Sequence, residues 1–116
     1  MIISGKQIKR KTFFYQLAKN DTEFCISSVT HYEVGNGNRK NHFEFWEKLT
    51  ESIIVIPFDK ACSVNAINIY IDLLKSNKMI DLADLLIGAT ALTYNIPIAT
   101  LNKKHFSRIN NLELIN

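Results

Sequence analysis

Short apolar runs alternate along the chain with longer stretches in which apolar residues recur every three or four positions. The short runs lie in Glu23–Ser27, Ile53–Ile56, Ile96–Thr100 and Leu112–Ile115. Their length and β-branched content predict strands, the second ended by Pro57. Between them the spacing predicts helices. Gly5–Asn20 has Ile8, Phe13, Phe14, Leu17 and Ala18 on one side and stops at the turn signal Asn20-Asp21. A helix capped by Ser27 or Ser28 runs through Val34 and is interrupted at Gly35-Asn36-Gly37-Asn38. Asn38–Ser52 resumes the pattern with Phe43, Trp46 and Leu49 at core spacing. Asp59 is placed to cap a helix reaching about Lys78, with Val64, Ile67, Ile71 and Leu74 as its expected core stripe.

The stretch from Met79 to Leu92 is different. Leu85, Leu86, Ile87, Ala89, Ala91 and Leu92 leave little room for a polar face, which predicts a buried helix ended by Asn95. Gly88, Ala89 and Ala91 are small enough for a neighbouring element to approach closely. Two carboxylates nevertheless lie at its start, Asp81 and Asp84, one turn apart. A carboxylate entering a buried helix must be hydrogen-bonded, capping or metal-bound, because an unpaired buried charge is costly. Asp81 can be read as the N-cap, with Asp84 three residues on as in a capping box. For Asp84 the rest of the chain favours chemistry.

Strands alternating with helices predict an α/β layered fold with a mainly parallel central sheet flanked by helices. In such folds ligands bind beyond the carboxyl ends of the strands. Glu33 and Asn102 follow shortly after strands, and Asp84 opens the helix leading into the third. The order places all three at one edge of the sheet. Two carboxylates and a neutral oxygen suit a hard divalent cation, Mg²⁺ or Mn²⁺. There is no histidine–cysteine spacing for zinc, no glycine-rich phosphate loop and no serine elbow.

Composition narrows the class. At 116 residues the chain is expected to be one domain, residues 1–116, with a core that needs no staples. Apolar residues make up 47% and charged residues 22%, as in soluble globular proteins. Cys25 and Cys62 have no metal-ligand spacing and read as free thiols in a reducing cytoplasm. No apolar run is long enough to span a membrane, and no signal-peptide core follows Met1. The net charge of +3 comes largely from Lys6, Lys9, Arg10 and Lys11, a cluster that reads as a solvated helix face or a nucleic-acid contact.

From Phe24 onward the chain resembles the PIN-domain ribonucleases, most closely the VapC-type toxins of bacterial toxin–antitoxin systems. Phe24-Cys25-Ile26-Ser27-Ser28-Val29-Thr30-His31-Tyr32-Glu33-Val34 resembles the family's strand–serine–helix segment, whose acid maps to Glu33. Ile80 to Ala91 resembles its "D-x-x-I-A-A-x-A" helix, whose acid maps to Asp84. Ile98 to Phe106 resembles its "T-x-(D/N)-x-x-(D/H)-F" segment, whose variable position maps to Asn102.

The resemblance implies Mg²⁺- or Mn²⁺-dependent endoribonuclease activity on RNA, an antitoxin partner and a homo-oligomer. Glu33 and Asp84 would hold the metal and Asn102 would orient a water. Asp81 and Thr100 would support them through hydrogen bonds, or serve as a helix cap and a plain strand residue. His105 reads as structural. The N-terminus departs from the pattern. The family begins with a central strand ending in "D-T-N", whose aspartate is its first metal ligand, and Met1-Ile2-Ile3-Ser4 holds no acid. Aligned by its distance to Ser27, the chain is expected to be N-terminally short, lacking both that strand and that aspartate. Activity would then be impaired. The competing expectation is a non-catalytic module that binds an antitoxin or self-associates. A phospho-acceptor signalling domain would need an aspartate closing a central strand beside an acidic pair, and neither is visible.

Overall fold

The computed structural model describes residues 1–3, 24–37 and 43–115. The helix expected over Gly5–Asn20, its basic cluster and Asp21 lie outside them. So do the side chains of Phe43, Trp46 and Leu49.

Five strands form one parallel sheet. They are β1 (Ile2–Ile3), β2 (Cys25–Ser27), β3 (Ile54–Ile56), β4 (Ile98–Ala99) and β5 (Leu114–Ile115), in the order β3-β2-β1-β4-β5. Ile2 pairs with Cys25 on one side and Ile98 on the other. Helices α1 (Ser28–Gly37) and α2 (Phe43–Glu51) join β2 to β3, and α3 (Lys60–Lys75) and α4 (Leu82–Thr93) lead from β3 to β4. The short α5 (Lys103–Phe106) precedes β5. The fold is thus the expected α/β sheet flanked by helices. Three turns reverse the chain through a left-handed asparagine, Asn77, Asn95 and Asn111. Asparagine is among the few residues that tolerate this conformation.

The expectation that the central strand is missing is corrected. Ile2–Ile3 lies in the middle of the sheet, and both residues are fully buried. The Ile2 N–H donates to Pro97 O at 2.8 Å, and Cys25 N–H donates to Met1 O at 2.9 Å. A two-residue strand is too short to show alternation in sequence, but two isoleucines suffice at a position buried on both faces. Successive strand residues point to opposite faces. Ile2, Cys25 and Ile98 join the core built by α3, α4 and α5. Ile3 and Ile26 join a second cluster with Val34 of α1.

Asp59 caps α3 as expected, accepting the Cys62 N–H at 3.0 Å. The expected core stripe of this helix is wrong, however. Val64, Ile67, Ile71 and Leu74 are exposed, and Cys62, Ala66, Ile69 and Leu73 face the core. Both stripes are apolar at helical spacing and lie on opposite sides. The smaller one is chosen because Cys62 and Ala66 let α3 lie close against α4, itself lined by Gly88, Ala89 and Ala91. Polar links join the other ends of this hairpin. Asn65 Nδ2 donates to Thr93 Oγ1 at 2.8 Å, and the Tyr94 hydroxyl donates to Asp59 Oδ2. The carboxylate pushes the Tyr94 hydroxyl up to about 12. The same bond, with the Cys62 N–H, holds Asp59 below the usual carboxylate range.

Cys25 and Cys62 are free and buried, and burial pushes the Cys25 thiol up. Helix α1 continues through Gly35 to Gly37 where an interruption was expected. Among the described residues no helix is long and apolar enough to cross a membrane.

Candidate functional site

Strand β2 ends at Ser27, whose Oγ accepts the Thr30 N–H at 3.1 Å and starts α1. Ser28 Oγ accepts the Phe58 N–H at 3.1 Å, tying this start to the entry of α3. Glu33 lies one turn beyond the buried Thr30. It is half-buried, carries an interaction of its own, and sits on a helix packed against α4.

Asp84 occupies the first turn of α4, and its side chain is only 8% exposed. Helix N-termini favour anions through their free N–H groups, which makes this position tolerable for a carboxylate. The α4 N-cap is Asp81, but its exposed side chain makes no capping hydrogen bond, so the capping-box reading is not met.

Beyond β4 the chain turns at the buried Thr100, whose Oγ1 accepts the Asn102 N–H at 2.9 Å. This bond fixes the Asn102 backbone as it enters α5, where the Asn102 carbonyl accepts the N–H groups of His105 and Phe106. The Asn102 side chain makes no capping bond. Its Nδ2 donates to Asp84 Oδ2 at 2.9 Å and lies 2.9 Å from His105 Nδ1. His105 Nδ1 is 3.3 Å from the same Asp84 oxygen.

With the ring proton on Nε2, both short contacts are satisfied at once. One amide hydrogen of Asn102 goes to the carboxylate and the other to the imidazole. A proton on Nδ1 would instead point to Asp84 Oδ2, 3.3 Å away, and leave the Asn102 NH₂ facing a second donor. Asp84 Oδ1 takes no hydrogen bond from any described residue. Among the described residues this nearly buried carboxylate thus has a donor on one oxygen alone, which is costly unless a positive charge or a donor is supplied at the other.

The structure therefore brings together Asp84 and Asn102, with Thr100 behind Asn102. Glu33 stays on the neighbouring helix. Among the described residues, no group of three His, Cys, Asp or Glu side chains could hold a metal ion. Sequence reasoning took His105 as structural, and the folded chain sets its Nδ1 beside Asn102 and Asp84. Its signal was the (D/H) slot of the resembled segment, three positions after Asn102, a spacing that puts both on one face of a single helical turn.

The donor set can be tested against a divalent cation. Mg²⁺ keeps several waters and needs only one or two protein carboxylates. Asp84 Oδ1, which takes no hydrogen bond from any described residue, fits as one oxygen ligand of such an ion. Zinc draws three or four Cys, His or carboxylate ligands, more than are brought together among the described residues.

Residues 4–112 match the family described as the PIN domain. Over 71 residues the chain is 41% identical to a ribonuclease VapC of Rickettsia bellii, covering 61% of this chain and 53% of that protein. Over 56 residues it is 46% identical to a ribonuclease VapC1 of Methanocaldococcus jannaschii, covering 48% of this chain and 35% of the relative. The chain thus spans about half or less of the curated relatives it matches.

Among solved structures, the fold matches VapBC-1 from nontypeable Haemophilus influenzae with a TM-score of 0.84 at 21% identity, covering 99% of this chain and 96% of that one. It matches VapBC2 from Rickettsia felis, bound to a DNA fragment from its promoter, with a TM-score of 0.82 at 22% identity and the same coverage. These likenesses show the fold. With the family match running from Ser4 to Leu112, across both segments that supply the Asp84–Asn102–His105 group, the chain belongs to the PIN-domain family.

Proposed function

We propose that this chain is a Mg²⁺- or Mn²⁺-dependent endoribonuclease of the VapC toxin type, acting in the cytoplasm and controlled by an antitoxin. The observation that carries the reading is Asp84, a nearly buried carboxylate with one oxygen held by Asn102 and the other without a partner among the described residues. Two ribonucleases VapC among its relatives support the substrate class, and a toxin–antitoxin complex from Klebsiella pneumoniae that shares its fold supports the partner.

Asp84 and Glu33 would hold the metal. When bound, the ion supplies an acidified water and charge stabilisation for a phosphodiester. The remaining work falls to the chain. Asn102 fixes the orientation of the Asp84 carboxylate, and Thr100 fixes Asn102. His105, with Nδ1 occupied by Asn102, can present Nε2–H as a donor to a phosphate oxygen. Lys103 and Lys104 are exposed beside it and add positive charge for an RNA backbone. Asp81, exposed at the start of α4, would contribute at most a hydrogen bond behind the ligands.

The residue following β1 is Ser4, and no acid precedes Asp21. With Asp84 and Glu33 as its only carboxylate ligands, the site would bind the ion weakly and turn over slowly, and an acid added after β1 would raise both.

The test is cleavage of RNA by the chain with Mn²⁺, with EDTA, and in Asp84→Asn and Ser4→Asp variants. Cleavage that needs the metal, disappears in Asp84→Asn and rises in Ser4→Asp is expected. Activity that survives EDTA or Asp84→Asn sinks the reading. A well-folded chain that stays inactive even as Ser4→Asp favours the second reading, a non-catalytic PIN module that binds an antitoxin or self-associates. That second reading draws on the lack, among the described residues, of three clustered metal-ligating side chains.

A further inference from the structure

Helix α3 and the turn that precedes β5 border a cleft of about 120 Å³. A pocket for a whole drug-sized ligand spans roughly 300–1,000 Å³, so this cleft takes one small group. Its floor is apolar, made by Ile69, Leu73, Leu92 and Ile109. Its rim is polar. Asn68 and Asp72 lie four residues apart and share one side of α3. Arg108, Asn110 and Asn111 line the cleft from the turn.

Among the described residues the side chains of Asn68, Asp72, Asn110 and Asn111 make no hydrogen bond. Arg108 Nη1 donates to the carbonyls of Lys78 and Met79 at 3.3 and 3.0 Å, which anchors the guanidinium without neutralising it. Asp72 and Arg108 line the same cleft without forming an ion pair. A carboxylate and a guanidinium kept apart over an apolar floor suit a flat group with donors on one edge and acceptors on another.

We propose that the cleft is a guanine-base site, and that the base it takes belongs to an RNA strand. Guanine alone among the four RNA bases has two adjacent donors, N1–H and N2–H, to match the two oxygens of a carboxylate. Its O6 and N7 are the acceptors that arginine reads as a pair. Adenine, cytosine and uracil lack the donor pair. The assignment of the base to RNA rests on the ribonuclease reading above. Its geometric support is the Arg108 N–H, which donates to His105 O at 3.1 Å. The cleft therefore begins one turn beyond the Asp84–Asn102–His105 group, and a strand with a phosphate at His105 sets a neighbouring base beside Arg108.

The test is an NMR titration of the ¹⁵N-labelled chain in EDTA with GMP, AMP, CMP and UMP. GMP is expected to shift the side-chain amides of Asn68, Asn110 and Asn111 and to bind about tenfold or more tighter than the other three, the worth of a bidentate pair. Asp72→Asn is expected to weaken GMP by a similar factor and to gain xanthosine monophosphate. Xanthine carries an oxygen at C2 where guanine carries an amine, and that oxygen accepts the new amide N–H. Asp72 is exposed and its side chain holds no described neighbour, so the substitution leaves the fold intact, as the remaining amide signals report.

No shift at these positions, or equal binding of all four nucleotides, overturns the site. So does an Asp72→Asn chain that loses GMP and gains no xanthosine monophosphate. An oligouridine carrying one guanosine is expected to shift the same signals at lower concentration than GMP, and an all-uridine strand is not. GMP binding without oligonucleotide binding overturns RNA as the source and leaves a free guanine nucleotide. The two readings fail separately. A chain that binds guanine here and never cleaves RNA refutes the ribonuclease reading and keeps the base site, whereas one that cleaves with Mn²⁺ and shows no guanine shift refutes the base site alone.

Discussion

Gly88 lies where α4 passes over the C-terminal segment, and replacing it with alanine tests how tightly that contact is packed. A Cβ on Gly88 would sit 2.4 Å from Ile109 Cδ1, with Phe106 Cδ1 at 3.7 Å and Leu112 Cδ2 at 3.8 Å. Carbon atoms prefer about 3.5–4.0 Å, so the Ile109 methyl must move by roughly 1 Å or more. Ile109 is only 3% exposed and Phe106 is fully buried, so the methyl moves into occupied space. Overpacking of this kind costs about 1–3 kcal/mol. Against it stands the helix preference of alanine over glycine, about 1 kcal/mol. The net expectation for Gly88→Ala is a loss of about 1 kcal/mol in denaturant unfolding, with an unchanged slope.

The decisive arm is Ile109→Val, which deletes the clashing Cδ1 and itself costs about 0.5–1.5 kcal/mol. In that background Gly88→Ala keeps only its helical advantage and should stabilise, by up to about 1 kcal/mol. A change of sign between the two backgrounds is therefore expected. The packing argument is refuted if Gly88→Ala stabilises the wild-type chain, or if its effect is the same in both backgrounds.

Two further outcomes follow from the hydrogen bonds. Tyr94→Phe removes the donor to Asp59 and should lower the melting temperature at neutral pH. Because Tyr94 is raised from 10.0 to about 12 in the folded chain, its contribution is present below pH 10 and lost as pH rises through about 12. Because Asp59 is lowered from 3.8, its share is present above that value and lost as pH falls through its lower folded value. The wild-type advantage should thus be a plateau that shrinks at both ends; a difference independent of pH from strongly acidic to strongly alkaline would contradict the pairing.

Thr100→Val keeps the shape but leaves the Asn102 N–H without its acceptor, which should cost about 1–2 kcal/mol of stability. Thr100→Ser retains the oxygen and should recover most of that loss; equal stability of the two variants would remove Thr100 from its role behind Asn102.

Asp84 was legible in the sequence because it conflicts with its surroundings, a carboxylate opening an apolar helix run. Asn102 was legible from its place past the end of a strand; Thr100 was read as a partner for a carboxylate or a plain strand residue, whereas its Oγ1 accepts the Asn102 N–H. The link between Asp84 and His105 was not, since the two lie 21 residues apart and meet only where α4 and α5 converge. Asp81 shows the opposite error: its place at the helix start suggested a capping side chain, and the folded chain leaves that side chain exposed. Local pattern reports which residues can form a bond, and the competition with solvent is decided by neighbours from elsewhere.

Ile2–Ile3 and α3 mark the division most clearly. By itself the sequence determined the alternation of strands and helices, the parallel α/β class, the Asp59 cap and the acid in the buried helix. All of these follow from the period of apolar residues and from side chains within a few positions of one another. Tertiary structure alone decided that two isoleucines form the middle strand, because their burial comes from β2 and β4 on either side. It alone decided which stripe of α3 faces inward. Two apolar stripes on opposite sides of one helix satisfy periodicity equally well. Only close packing against the small residues of α4 separates the one that is buried from the one left to solvent.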